Sequence, residues 1–194
     1  MDARSLTNPI INDKQALEEF VEALNDLAPG IERDVADLRQ KPDDREVIAS
    51  LFRAFHNIKG DATLCKVDLA VAIAHPIETL LARLRNNEIT FGDVLAEALL
   101  LAVDRLELAA EALHMGKPLG NLALPELVEG LETLATTEAA ELDAGAADLI
   151  EAVTGFRPAS VAPFALRGRA PGRPRSKSSQ TDDLRFFRML ATQF

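Results

Sequence analysis

An apolar stripe with helical spacing runs through residues 13–40 and constrains the fold of this chain more than any other feature. Its members recur every three or four residues, which is the period of one face of an α-helix. They are Leu17, Phe20, Val21, Leu24, Leu27, Ile31, Val35 and Leu38. Because such a face has to be buried against another element, we predict one long helix, bent at Pro29, that packs against other helices.

Four more segments with helical periodicity follow, separated by polar breaks. The predicted second helix begins after residue 44 and runs just past His56, which places that histidine near the helix end. The predicted fourth helix, introduced by a capping-box-like Thr90, is too apolar to be exposed on all sides and must be sandwiched in a bundle. The connection after the second helix is residues 64–66, and the later helices span about residues 68–86, 91–115 and 124–136.

The composition agrees with a helical protein in a reducing compartment. The chain has no Trp or Tyr and is rich in Ala, Leu, Glu and Arg, which favour helix. Its single cysteine, Cys65, excludes an intrachain disulfide. The sequence shows no basic segment followed by an apolar core at its start, and no apolar run of membrane length. We expect a cytoplasmic protein that is neither exported nor membrane-spanning.

The run His56-Asn57-Ile58-Lys59-Gly60 carries the clearest chemical signal. Residues three apart on a helix share one face, so Lys59 can bring a positive charge to an anion held on His56. A histidine titrates near neutral pH and can act as a neutral nucleophile, and Gly60 leaves room for another protein's backbone. The pattern is typical of a phosphoryl carrier. On this run alone, a surface histidine that has a lysine nearby by chance is equally open.

His75 and Glu78 lie three residues apart on the predicted third helix and strengthen the carrier interpretation. If this helix packs antiparallel to the helix of His56, Glu78 can accept a hydrogen bond from one imidazole nitrogen. That bond would fix the tautomer and leave the other nitrogen free to attack. His75 would belong to the same polar network. A solvated glutamate and a capping or partly buried histidine remain the alternatives.

The stretch Leu51–Gly60 followed by Ala74–Leu81 resembles histidine-containing phosphotransfer (HPt) domains. It is most similar to the N-terminal phosphotransfer domain of chemotaxis-type histidine kinases, and the resemblance covers about residues 10–138. It implies an all-α fold: an antiparallel four-helix bundle with an additional C-terminal helix.

The resemblance also implies roles for the site residues. His56 matches the histidine that is phosphorylated on Nε2, Lys59 the lysine near the phosphoryl group, and Glu78 and His75 the residues that hydrogen-bond around it. Gly60 matches the glycine that opens the site to the partner.

Two residues depart from the family pattern. Asp61 stands where the family more often has glycine or serine, so its carboxylate either points away from the phosphoryl group or tunes the lability of the phosphoimidazole. Pro76 removes one helical hydrogen bond, and the resulting kink could shift His75 relative to Glu78.

The partners that the resemblance implies are a histidine kinase and a response-regulator receiver domain. Any Mg²⁺ would be supplied by that partner, so we expect no cofactor in this chain, and we expect a monomer. Candidate residues for an apolar docking patch surround His56, although helix phase does not separate such a patch from the core. They are Phe55, Gly60, Ala62, Leu64 and Val67.

The chain changes character after the predicted bundle. Residues 139–156 contain a possible accessory helix, residues 157–181 read as a disordered linker, and residues 182–194 as the start of a helix. That last segment faintly resembles the lead-in to a further signalling domain, such as an HD-GYP phosphodiesterase; docking back on the bundle or pairing of two subunits is equally open. From Arg157 onward the sequence has eight basic residues and two acidic ones. We interpret the basic part as a solvated tether, with no nucleic acid expected as partner.

Three functions from different classes follow from these patterns. The first is a phosphoryl carrier on His56 between a histidine kinase or phosphorylated receiver and a second receiver. The alternative is a helical docking or regulatory module that works without phosphorylation. An enzyme in its own right is disfavoured, because the sequence shows no nucleotide-binding motif of a kinase, and because three histidines that do not cluster cannot form a metal site.

Overall fold

The computed structural model describes residues 13–158, and this part of the chain is all-α, as predicted. It contains six α-helices and one short 3₁₀ turn, at Ala139–Glu141. The helices are α1 (Lys14–Gln40), α2 (Arg45–Leu64), α3 (Asp68–Arg85), α4 (Asp93–His114), α5 (Leu124–Thr136) and α6 (Leu142–Thr154). No helix within residues 13–158 is both long and apolar enough to cross a membrane.

Aspartates cap the first two helices. The Asp13 carboxylate accepts hydrogen bonds from the backbone of Gln15 and Ala16, and Asp44 does the same for the first turn of α2. The Lys41 ammonium donates a hydrogen bond to Oδ2 of Asp44 at 2.9 Å, and this bond is the main reason that the pKa of the Asp44 carboxyl is lowered.

The predicted N-cap of α4 at Thr90 is wrong. The helix begins at Asp93, and its N-cap is Gly92 without a side-chain cap. The carboxylate of Asp143, from the first turn of α6, lies so close to Gly92 that a Cβ there would be 3.0 Å from its Oδ1. A negative charge near a helix N-terminus is favourable. An acidic residue from a distant segment therefore lies where a local capping residue was expected.

Helices α1 to α4 form the bundle, and α5 and α6 pack on one side of it. Each of α1, α2 and α3 packs against the next, and α1 also packs against α4. Helix α5 packs on α3, and α6 on both α4 and α5. Half of the 22 residues of α4 are buried, which confirms that this helix is sandwiched between others.

The core is apolar throughout the described residues. Helix α1 supplies seven buried side chains, and Leu51, Phe55 and Ile58 of α2 are buried as well. Each such side chain contributes about 1.5–3 kcal/mol when it leaves water. Helices α1 and α3 run without a break through Pro29 and Pro76.

Helix α2 continues two turns beyond His56, to Leu64. His56 therefore lies in the interior of the helix, and its predicted position near the helix end is wrong. The apolar residues Ile58 and Ala62 are buried and hold these last turns against the bundle. The site histidine thus sits on a rigid element rather than beside a loop.

Arg83 ties α5 to the bundle. Its two terminal nitrogens donate to the backbone oxygens of Ala135, at 3.0 Å, and Thr137, at 2.8 Å. These carbonyls belong to the C-terminal end of α5, where helix carbonyls lack partners within the helix. One guanidinium thereby satisfies a helix end and joins it to α3, the helix that carries Glu78 and His75.

Helix α6 occupies part of the segment in which a short helix was predicted. The linker at residues 157–181 and the helix start at 182–194 fall almost wholly outside the described residues, which end at residue 158.

Two glycines in helices should respond oppositely to alanine. A Cβ on Gly130 would lie 2.8 Å from Cδ1 of Leu149 and 2.9 Å from its Cγ, whereas a Cβ on Gly60 meets nothing within 4 Å. We expect Gly130→Ala to lower the free energy of unfolding by about 1–3 kcal/mol through overpacking, and Gly60→Ala to raise it by about 0.5–1 kcal/mol through helix propensity. Urea unfolding followed by circular dichroism measures both, and a Gly130→Ala protein at least as stable as wild type would contradict the packing of α5 on α6.

Candidate functional site

The site is built across the packed pair α2 and α3. His56 lies on α2 and Glu78 on α3, and Nδ1 of His56 is 2.7 Å from Oε1 of Glu78. A second cross-contact joins Phe52 to Arg85. The earlier residue of α2 pairs with the later residue of α3, so the two helices run antiparallel, as the sequence-based prediction required.

Lys59 completes the contact from the same face of α2. Its ammonium donates to Oε2 of Glu78, so the two oxygens of one carboxylate hold the lysine and the histidine. The Glu78 side chain is only 12% exposed, whereas that of His56 is 61% exposed. The carboxylate is therefore nearly enclosed, while the imidazole that it holds faces solvent.

The pKa of Glu78 identifies which imidazole nitrogen carries the proton. Burial is the largest single influence and raises this pKa, but the hydrogen bonds and charges of Lys59 and His56 together outweigh it and lower the pKa below its ordinary value. Glu78 is then ionised at neutral pH and can only accept hydrogen bonds. Nδ1 of His56 must therefore donate, and in the neutral ring the lone pair lies on Nε2.

Two residues that the sequence reasoning missed contact this site. The Phe52 and His56 rings are stacked, with centroids 6.3 Å apart and an interplanar angle of 12°. The guanidinium carbon of Arg85 lies 4.6 Å from the centre of the Phe52 ring. Spacing could have indicated Phe52, which precedes His56 by four residues on the same helix face. The contact of Arg85 depends on how α3 packs on α2, which spacing does not give.

His75 is not brought into this network. Its side chain is exposed and makes no hydrogen bond within residues 13–158. His75 lies on α3 one turn before Glu78, on the same helix face.

Three of the five predicted docking residues are wrong. Phe55, Ala62 and Val67 are at most 1% exposed and belong to the core. Phe55 directly precedes His56, and successive residues of a helix point about 100° apart. Phe55 therefore points to a different side of α2 from the exposed His56, towards the core. Leu64 is 80% exposed, and Gly60 is exposed as well.

Asp61 lies towards α1 and away from Glu78. It lines a surface depression together with Glu19 and Phe20 of α1 and with Cys65. Burial, and after it the charges of Glu19 and Asp61, raises the pKa of the Cys65 thiol, which keeps this cysteine protonated at neutral pH. Of the two possibilities for Asp61, the structure fits the one in which the carboxylate points away from His56.

The arrangement is suited to nucleophilic attack by an imidazole. It presents an exposed Nε2 lone pair, a carboxylate that can share the positive charge of an alkylated or phosphorylated ring, and an ammonium beside both. No group of three or more His, Cys, Asp or Glu side chains in the described part of the chain is placed to hold a metal ion.

The charge of Glu78 should matter in a pH-dependent way. Glu78→Gln leaves the Lys59 ammonium without its counter-charge, so we expect the free energy of unfolding at neutral pH to fall by about 1–3 kcal/mol. Because the folded-state pKa of Glu78 is lowered, its stabilising contribution is present above the unfolded-state pKa and disappears as pH falls through the folded-state value.

Urea unfolding of the wild type and the Glu78→Gln variant, from about pH 7 down to about pH 3, measures this effect. The difference in stability should shrink towards the acid end. Glu22→Gln, at an exposed position of α1, is the matched control and should show little difference at any pH. A gap for Glu78→Gln that stays constant with pH would contradict the assigned ionisation.

Comparison with known proteins places the matching region on the bundle and its site. A sequence profile described as the Hpt domain matches residues 15–114, which span α1 to α4. The chain is 35% identical over 128 residues to the chemotaxis protein CheA of Cereibacter sphaeroides, covering 66% of this chain and 18% of that protein. It is 31% identical over 148 residues to the chemotaxis protein CheA of Rhizobium meliloti, covering 76% of this chain and 18% of that protein.

A more distant relative is the sensor histidine kinase CheAY of Helicobacter pylori, with 22% identity over 94 residues, 48% of this chain and 12% of that protein. The chain thus spans less than a fifth of the length of these relatives.

Proposed function

Because the chain belongs to the Hpt domain family, the histidine phosphotransfer modules of two-component signalling, we propose that it carries a phosphoryl group on Nε2 of His56. The donor in this proposal is a histidine kinase or a phosphorylated receiver domain, and the acceptor is a receiver domain of a response regulator. The observation that carries it is the hydrogen bond from Nδ1 of His56 to the ionised Glu78, which leaves the exposed Nε2 as the nucleophile.

The transfer step uses the lone pair of Nε2. It attacks phosphorus, the Nε2–P bond forms, and the bond between phosphorus and the oxygen of the donor breaks, with the electron pair leaving on that oxygen. The imidazole gains a positive charge, which the Nδ1–H shares with Glu78 through the 2.7 Å contact. Transfer to a receiver reverses the roles, with an aspartate oxygen as the attacking group.

Lys59 supports this step through its charge. An ammonium has three N–H donors, of which Glu78 takes one, and the side chain is 27% exposed. The remaining donors can bind phosphoryl oxygens on Nε2, since Lys59 shares a helix face with His56. His75, which is exposed and lies one turn before Glu78 on α3, is proposed as a further donor to the phosphoryl group.

The space beside His56 is proposed for the partner. Gly60 follows His56 by one turn, and nothing lies within 4 Å of where its Cβ would be, so a partner's backbone can reach the imidazole. Leu64 extends this open strip by another turn with an apolar side chain that is 80% exposed. We propose that Gly60 and Leu64 are the docking residues retained from the predicted patch, and that any Mg²⁺ needed for transfer is bound by the partner.

Phosphorylation of His56 can be tested directly. The protein is incubated with phosphoramidate, and separately with an active histidine kinase or a phosphorylated receiver, and its intact mass is measured before and after acid treatment. We expect an acid-labile addition of one phosphoryl group. His56→Gln should abolish it, whereas the matched control His114→Gln, at an exposed histidine that ends α4, should retain it. A folded protein that accepts no phosphoryl group from any donor would favour the phosphorylation-independent docking module.

Docking at Leu64 is tested by comparing donors of different size. Leu64→Glu should slow transfer from a phosphorylated receiver by at least about fivefold, as the loss of a contact residue does, and leave transfer from phosphoramidate unchanged. Met115→Glu, at another exposed apolar residue, is the control and should behave like wild type. Equal receiver rates for Leu64→Glu and wild type would place docking elsewhere.

A further inference from the structure

The imidazole of His56 is held at two places, of which the proposed mechanism uses only one. Glu78 holds its edge at Nδ1, and Phe52 stacks on the ring, nearly parallel to it at 12°. We propose that Phe52, supported by Arg85, is a positioning residue: its ring fixes the plane of the imidazole so that Nε2 points at the incoming phosphoryl group. This inference rests on the proposed function of His56.

The hydrogen bond alone leaves the ring free to turn. One contact through Nδ1 fixes a distance, but rotation about the last side-chain bond of a histidine has a broad energy profile. The His56 side chain is 61% exposed, so much of its surface borders solvent, which does not restrict the rotation of the ring. A flat aromatic ring lying nearly parallel to the imidazole, with its centre 6.3 Å away, favours the orientation of the imidazole that keeps the two rings parallel.

Phe52 can orient the imidazole because its own ring is fixed by its surroundings. It lies one turn before His56 on the same helix face and is partly buried against the core. The Arg85 guanidinium lies over its ring at 4.6 Å, within the range of a favourable cation–π contact. Arg85 ends α3, where a positive charge is favoured by the helix dipole.

The two restraints use the same pair of helices. Helix α2 contributes His56 and Phe52, and α3 contributes Glu78 and Arg85. One antiparallel interface therefore sets both the edge and the plane of the imidazole. A role confined to core packing would need only the apolar volume of Phe52, whereas positioning needs its flat face, and this difference makes the inference testable.

The test compares Phe52→Leu, which keeps apolar volume but loses the flat face, with Phe52→Tyr, which keeps the ring. The donor is phosphoramidate: the Nε2–P bond forms, the P–N bond of the donor breaks, and ammonia leaves with the electron pair. Aromatic pairing corresponds to about a two- to tenfold effect on an equilibrium or a rate. We expect Phe52→Leu to slow acceptance by about that factor, Phe52→Tyr to restore it, and Arg85→Gln to change it in the same direction as Phe52→Leu but less.

Nitrogen-15 NMR of the histidine rings in the full chain supplies a readout that core packing alone would not move. In wild type, His56 should show the Nδ1–H tautomer. In Phe52→Leu the tautomer ratio should shift towards a mixture. Urea unfolding gives the fraction of folded protein under the assay conditions, and loss of folded protein should account for none of the lost rate.

Three results would overturn the inference: a Phe52→Leu rate equal to that of wild type, a Phe52→Tyr variant as impaired as Phe52→Leu, or a loss of rate that tracks loss of folded protein. If the wild type accepts no phosphoryl group at all, the proposed function fails, and the NMR arm then decides alone. An unchanged His56 ring in Phe52→Leu would overturn positioning, and a shifted tautomer ratio would support it.

Discussion

The antiparallel packing of α2 on α3 is the constraint on which the rest of the site depends. Apolar residues such as Leu51 and Ile58 of α2 and Ile73 and Ile77 of α3 are buried, and the phase of these residues sets how the helices are rotated and where they register. His56 and Glu78 lie on the rim of the same faces, so the contact of 2.7 Å between them follows from the packing beneath. A slip of either helix by one turn, about 5.4 Å, would separate the two.

Glu78 shows how a nearly enclosed carboxylate is kept charged. Its burial opposes ionisation, yet Lys59 and His56 bind both of its oxygens and lower its pKa. The cost of removing a charge from water is thus offset by two hydrogen-bonded partners. The hydrogen bonds that keep Glu78 ionised also assign the proton of the imidazole to Nδ1. The same charges therefore act on stability and on the protonation of His56.

The outer helices support α3, the helix that carries Glu78. Arg83 of α3 binds the carbonyls of Ala135 and Thr137, and α5 packs along α3. Lateral support of this kind limits the movement of α3 relative to α2. It also accounts for a charged residue such as Arg83 within a helix that otherwise presents mainly apolar residues to its neighbours.

The sequence by itself determined the helices, the bundle and the meeting of His56 and Lys59 with Glu78. Helical periodicity located α1 and α5 within a residue of their ends, and the spacing of His56, Lys59 and Glu78 predicted a contact that the structure contains, because residues three apart on a helix must share a face. Only the tertiary structure decided which residues beside His56 face solvent. Phe55, Ala62 and Val67 were candidates for the docking patch and are buried, since helix phase relative to the core depends on which neighbour covers which side. The contact of Arg85 with Phe52 and the approach of Asp143 to the start of α4 were decided there too, because both join residues that are distant in the chain and come together only through packing.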